Sequence, residues 1–525
     1  MSEQNLSSHW ADIYADKIIR EKGPKDIYTC ASGITPSGTV HIGNFREIIS
    51  VELVVRALRD KGQKVRFIYS WDDYDVFRKV PKNMPEQELL ATYLRKPITL
   101  VPDTTGEWDN YALANEKAVE TLLPSVGVSP EYLYQASRYR TSQYAQGMRT
   151  ALEHRQEIID ILNRYRTSAL PEDWYPISVF SSFSGKDNTT ILGWDGAWGV
   201  TYRDDDNGQS ETIDLRTTSV AKLPWRVDWP MRWAYEGVDF EPAGKDHHSE
   251  GGSFDTSKYV VELFGAKAPV SFQYDFISIK GRGGKISSSS GEVISLPDVL
   301  EIYTPELTRF LFVGTRPNTE FAISFDLDVL KIYEDYDTCE RIYFGAQSVN
   351  EKRLAKEKRI FELSQVSEIP TELSYQISFR HLCNLLQIHS GSIDAVIATL
   401  DGITPSQEKR LRERAVCAWN WISHFSPEDF RWVLCDDSAP KAQLSPAMAK
   451  AIAGLTDAVE YLDDFDEKQL SEEIYAIAAR SEVDPPELFQ VVYGILINRE
   501  RGPKLAGFIK TCGKAKILPI LQRNL

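Results

Sequence analysis

The stretch Cys30-Ala-Ser-Gly-Ile-Thr-Pro-Ser-Gly-Thr-Val-His-Ile-Gly-Asn-Phe-Arg-Glu47 constrains this chain more than any other. Ile27 to Ala31 reads as a strand, and Asn44 to Lys61 carries the apolar pattern of a long helix that Gly62 ends. Val65 to Trp71 follows as a second strand, with the continuous apolar run of a buried parallel sheet, so the segment predicts a βαβ unit in an α/β fold. Between strand and helix, Gly33, Gly38 and Gly43 permit close backbone approach, and Pro36 sets the turn. Peptide N–H groups and the positive end of the helix dipole then face one point, where a phosphate is the natural guest. The spacing is neither GxGxxG nor GxxxxGK[ST]. It is Pro36-Ser37-Gly38-x-x-His41-Ile42-Gly43-Asn44, with His41 and Asn44 one helical turn apart.

A second glycine-flanked stretch, Gly281-Arg-Gly-Gly-Lys-Ile-Ser-Ser-Ser-Ser-Gly291, precedes a helix running from Leu296. It reads as a loop with one permanent cation, Lys285, able to reach a leaving pyrophosphate.

At 525 residues the chain is too long for one core, and about three domains are expected. Sixty basic against 76 acidic residues give a net charge of -16, so any nucleic acid must be met by a local basic patch. Met1 to Asn5 lacks a basic region followed by an apolar stretch, and no run approaches about 18 uninterrupted apolar residues, so neither signal peptide nor membrane span is read. The cysteines at 30, 339, 383, 417, 435 and 512 are scattered without a CxxC pair, which fits reduced, buried thiols in a cytoplasmic protein.

Along the chain, Trp10 to Lys22 reads as a helix ahead of the first strand. The acidic run Trp71-Asp-Asp-Tyr-Asp75 ends the second strand, where an α/β sheet places ligand groups; it either solvates a loop or holds a cation. Tyr139 to Tyr165 is helical, and turn signals between short β-rich runs from Leu170 to Val220 describe a small antiparallel insertion without Cys or His. Trp225, Trp229 and Trp233 share one helical face, which Pro230 can bend toward a cleft, and His247 and His248 sit among glycines as a candidate contact site rather than a metal pair. Helical periodicity dominates from about residue 351. Near the end, Arg499, Arg501, Lys504, Lys510, Lys514, Lys516 and Arg523 face a single acid, Glu500, either as a solvated helix or as an RNA-binding patch.

The first stretch resembles the HIGH signature of class I aminoacyl-tRNA synthetases, with Asn44 in its last place. The second resembles the KMSKS loop, with Lys285, Ile286, Ser287, Ser288 and Ser289 in its five positions and Ser288 where the wider class keeps a lysine. Together with Lys222 to Trp233 and Gly244 to Ser253, they look like class I lysyl-tRNA synthetase over most of the first 345 residues.

That resemblance implies a Rossmann-type parallel-sheet catalytic domain split by the β-rich insertion, then an all-α anticodon-binding domain. The expected boundaries are 1–168 and 221–302 for the catalytic halves, 169–220 for the insertion over the acceptor end, 303–350 for a stem-contact junction and 351–525 for the helical domain. The resemblance implies a ligase that makes lysyl-adenylate from lysine and ATP with Mg²⁺ and transfers lysine to the terminal adenosine of tRNA(Lys). A glutamate-type enzyme or a silent tRNA-binding paralogue is the alternative. His41, Asn44 and Lys285 are the implied catalytic residues. Pro36, Ser37, Gly38, Ile42, Gly43, Ile286, Ser287, Ser288 and Ser289 would join them around ATP. The implied lysine pocket comprises Gly33, Thr35, Trp225, Trp229, His247 and Tyr274, with Asp72 at the α-amino group. No zinc, membrane or obligate protein partner is expected.

Overall fold

The computed structural model describes residues 9–38, 40–82, 84–280, 294–436 and 438–525. The chain forms two compact units: residues up to 323 with 338–371, and 324–337 with 372–525.

The first unit is built on a parallel sheet in the order Glu131–Tyr134, Val65–Trp71, Tyr28–Ile34, Val238–Phe240. Tyr28 pairs with Val65 and Ile34 with Trp71, while Cys30 pairs with Phe240 on the other side. The strand order therefore reverses beside the first strand, and the crevice outside the carboxyl ends at that point is where such a sheet receives ligands. The Ile42–Asp60 helix is buried on almost every side, as its run of Ile, Val and Leu requires. Two short parallel pairs follow, Ala243–Gly244 with Gln273–Tyr274 and Ile277–Ile279 with Phe321–Ile323. Strands Thr189–Trp194, Gly199–Asp204 and Ser210–Asp214 form a small antiparallel sheet between these elements. The helical stretch over Tyr139 to Tyr165 is divided into Gln135–Arg140, Ala145–Glu153 and Arg155–Asn163.

The expected division at 350 is displaced to 371. The Glu351–Ser364 helix belongs with the first unit because it buries Ile360, Phe361 and Leu363 there, and Arg359 pairs with Asp12 at 2.8 Å. Arg309 donates to the Leu363 carbonyl at 2.8 Å.

The second unit is helical, from Phe379–Ile388 through Pro405–His424, Pro446–Glu460, Glu467–Arg480 and Pro485–Ile497 to Lys514–Arg523. Thr404-Pro405 and Ser445-Pro446 start their helices alike: the hydroxyl accepts the N–H of Gln407 or Met448, and proline fills the first helical position. One core joins Ile452, Leu455, Ile477, Leu496, Ile509 and Leu521. Among the described residues, no helix is long and apolar enough to cross a membrane.

Candidate active site

Gly33 closes the first strand opposite Ser70, and a Cβ there would stand 2.8 Å from the Ser70 carbonyl oxygen, so the close strand approach requires glycine. The turn after it is held from outside, with Tyr111 donating its hydroxyl to the Ser37 carbonyl at 2.9 Å. His41 caps the following helix, and Asn44 Oδ1 accepts the His41 backbone N–H at 3.3 Å. The imidazole folds back over Gly43, where a Cβ would lie 2.8 Å from the ring. That contact explains why glycine stands two places after the histidine.

A cavity of about 540 Å³ opens at the carboxyl ends of the strands. Gly33, Thr35, Asn44, Asp72, Trp225, His247 and Tyr274 all line it. Trp229 does not. It is 6% exposed and lies one layer behind, stacked on Trp225 with ring centroids 4.8 Å apart. His41 and Asn44 border a second, smaller apolar pocket of about 190 Å³. Pro36, Ser37 and Gly38 form the turn; Ile42 is fully buried and its N–H goes to the Ile294 carbonyl at 2.8 Å, so it has no donor to spare for a phosphate. Lys285, Ile286, Ser287, Ser288 and Ser289 lie outside the described residues.

Charge in the cavity is decided by pairing. Asp72 takes Arg232 at 2.7 Å, and Asp228 takes the same guanidinium at 3.2 Å together with the Tyr139 hydroxyl. Burial alone would lower the Arg232 pKa, but Asp228 and Asp72 outweigh it and hold the guanidinium charged. Burial pushes Asp228 upward, against the pull of Arg232, so we place the ion pair as charged, with one negative charge left over two carboxylates. Asp187 is paired with Arg95 at 2.8 Å, and Asp75 lies 3.7 Å from Arg78 and 3.9 Å from Lys222.

Glu47 is different. Its Oε1 accepts the Ser32 hydroxyl at 2.8 Å and the Gly33 N–H at 3.1 Å, and its Oε2 accepts the Tyr274 hydroxyl. Among the described residues, it is the acid of this cavity without a cationic partner. Burial raises its pKa, against the three hydrogen bonds that favour the carboxylate. The sequence motifs pass over this residue, although it stands three places after Asn44 and so on the same helical face. They pass over Asp228 and Arg232 as well, although the i, i+4 spacing of that pair on the Trp225–Glu236 helix is a local signal for it.

Deeper still, Glu241 accepts both the Trp229 and the Trp233 indole N–H, and burial pushes its carboxyl up to about 7. Among the described residues, no group of three or more His, Cys, Asp or Glu is arranged to hold a metal ion. The site is therefore a polar cleft beside the helix start at His41, and in its wall Glu47 has no cationic partner among the described residues.

Residues 8–367 match the family model described as tRNA synthetases class I (K). The chain is 56% identical to "Lysine--tRNA ligase" of Borrelia garinii subsp. bavariensis, over 99% of this chain and 100% of that one. It is 52% identical to the protein of the same name from Treponema pallidum, again over 99% and 100%. With the corresponding Thermococcus kodakarensis protein the identity is 39%, over 98% of this chain and 99% of the other. Matched by that model over more than half its length, and by these relatives from end to end, the chain belongs to the class I tRNA synthetases.

Proposed function

We propose that this protein activates L-lysine with ATP and transfers it to the 3'-terminal adenosine of tRNA(Lys), in the cytoplasm, for protein synthesis. The observation that carries the choice of lysine is Glu47, a partly buried carboxylate facing the cavity with neutral donors around it and, among the described residues, no cation of its own. An acid in that state is costly until an ammonium arrives, and lysine brings one on a chain long enough to leave its α-carboxylate free. Tyr274 orients the acid, and the Trp225 ring in the cavity wall gives the methylenes an apolar surface. The Oδ2 of Asp72, on the side away from Arg232, suits the α-ammonium.

In the first step a lysine carboxylate oxygen bonds to the α-phosphorus while the bond to the bridging oxygen of pyrophosphate breaks. In the second, a hydroxyl of the terminal adenosine attacks the lysyl carbonyl and AMP leaves with its phosphate. Negative charge gathers on phosphorus and on pyrophosphate, and the helix start at His41, the Asn44 amide and the Lys285 ammonium are suited to meet it. Mg²⁺ enters with the triphosphate as part of the substrate. No zinc is required. Exchange of pyrophosphate into ATP, run with each of the twenty amino acids and with norleucine, tests this: lysine alone is expected to support it, and equal use of norleucine or glutamate would overturn the reading.

For tRNA, the second unit holds a cavity of about 850 Å³ bordered by Arg380, Arg499, Arg501 and Lys504 with Phe430 and Trp432, and by the acids Asp429, Glu467 and Glu500. Basic groups beside aromatic rings suit unstacked bases and their phosphates, so we place the anticodon there. The basic tail divides in two. Lys510, Lys514, Lys516 and Arg523 donate to carbonyls at Leu462, Glu460, Ile388 and Asp436, which makes them ties within the fold. Arg499, Arg501 and Lys504 remain as the binding group, and because residues 505 to 521 supply core side chains, substitution rather than truncation is the proper test. Replacing all three by Gln is expected to weaken tRNA binding and to flatten its log–log salt dependence by roughly 2, for three phosphates on a single strand. An unchanged slope, measured by filter binding across salt, would return these residues to ordinary surface charge.

A further inference from the structure

A carboxylate buried without a cation beside it costs stability, and a pair of buried indoles needs two acceptors; an apolar residue with two phenylalanines would fill the same space at less cost. The first unit nevertheless keeps Glu241, 7% exposed, directly behind the substrate cavity. It follows the Val238–Phe240 strand, and its backbone N–H is donated to the Val270 carbonyl at 3.1 Å, so its stem is fixed by the sheet. Its Oε1 accepts the Trp229 indole N–H at 3.1 Å and its Oε2 the Trp233 indole N–H at 2.6 Å. Those tryptophans stand one turn apart on the Trp225–Glu236 helix, so a single planar carboxylate sets the rotation of both rings.

Trp229 passes that orientation outward. Trp225 stacks on it with an interplanar angle of 17° and is 38% exposed, toward the cavity it lines. The Trp229 and His247 rings also pack in a T-shaped arrangement, centroids 5.7 Å apart, and His247 lines the same cavity. Two groups of the substrate wall therefore rest on one ring, and that ring is held by one acid.

We propose that Glu241 is a positioning residue for this wall: by fixing the Trp229 and Trp233 indoles it presets Trp225 and His247 for the substrate's aliphatic chain, and so sets lysine affinity rather than the rate of the chemical step. Preorganised groups cost the substrate no ordering when it binds, which is where the gain lies. The inference rests on lysine being the substrate.

The test uses the full-length enzyme in pyrophosphate exchange. In E241Q the amide oxygen still serves one indole, but the amide NH₂ confronts the other N–H, so one charge-assisted bond is lost. The KM for lysine is expected to rise about tenfold, the scale of one such bond, with kcat and the KM for ATP within twofold of wild type. The lysine-induced change in tryptophan fluorescence is expected to shrink with it. Adding W233F removes the indole donor that the amide opposes, and the double variant W233F/E241Q is expected to recover most of the affinity. W229F, which keeps a ring but loses its N–H, is expected to raise the KM for lysine likewise, and it carries the test if E241Q does not fold. A fall in kcat at unchanged KM, or a lowered melting temperature with unchanged kinetics, would overturn the proposal. Absence of lysine-dependent exchange in the wild type would instead overturn the reading of the substrate.

Discussion

Glu47→Gln is expected to lower kcat/KM for lysine by about 10² to 10³-fold, the cost of leaving one member of a desolvated charge pair without its partner. The substitution isolates charge from shape. The amide oxygen can still accept from Ser32 and Gly33, and the amide nitrogen can donate to the Tyr274 oxygen, so the hydrogen bonds within the protein survive. What disappears is the negative charge that the ammonium meets. The wild-type dependence on pH has a definite sign. Burial raises the Glu47 pKa, so the empty site holds its proton to higher pH than an ordinary glutamate. An acid with a raised folded-state pKa weakens the empty protein as pH rises through that value, and bound lysine relieves the penalty. The stabilisation by lysine in thermal melts is therefore expected to grow as pH rises through that value, and Glu47→Gln to abolish the growth. Equal stabilisation of the variant at every pH would assign the ammonium to another group.

Arg309→Met is expected to destabilise the first unit by about 3 to 5 kcal/mol, the range for removing one partner of a buried ion pair. Arg309 is 0% exposed. It donates to Glu52 at 2.7 Å, to the Val126 carbonyl at 2.9 Å and twice to the Leu363 carbonyl, at 3.1 and 2.8 Å. One guanidinium thus satisfies three acceptors from segments far apart in the chain. Methionine fills much of the volume but donates nothing, so two carbonyls lose this donor, while Glu52 keeps Arg56. Urea unfolding followed by fluorescence would report the loss as a lower midpoint. A change equivalent to under about 1 kcal/mol, the level of a solvated surface pair, would mean that the cluster is open to water.

Signals that are local in the chain are legible in the sequence itself. The strand Val65–Trp71 and the helix Trp10–Lys22 fall where their patterns put them, because a continuous apolar run and an apolar period are properties of neighbouring residues. Gly33 and Gly43 permit close approach, and the Ser70 carbonyl and the His41 ring are what approach them. Thr404-Pro405 and Ser445-Pro446 announce helix starts through chemistry confined to four residues.

Other features depend on partners that a pattern does not name. The acids of the cavity look alike in sequence, yet Asp72 is neutralised by an arginine 160 residues away and Glu47 is not. Trp225 and Trp229 share a helical face, but packing puts the first on the cavity and the second behind it, where Glu241 can reach it. The basic tail reads as one patch in sequence, and contacts to distant carbonyls divide it into ties within the fold and cations at the rim of a cavity. By itself, the sequence determined the longer elements, the glycine turn and the family, since each rests on residues a few places apart. Only the tertiary structure decided which charge remains uncompensated, because the energy of a charge is set by what lies within a few ångströms of it in space.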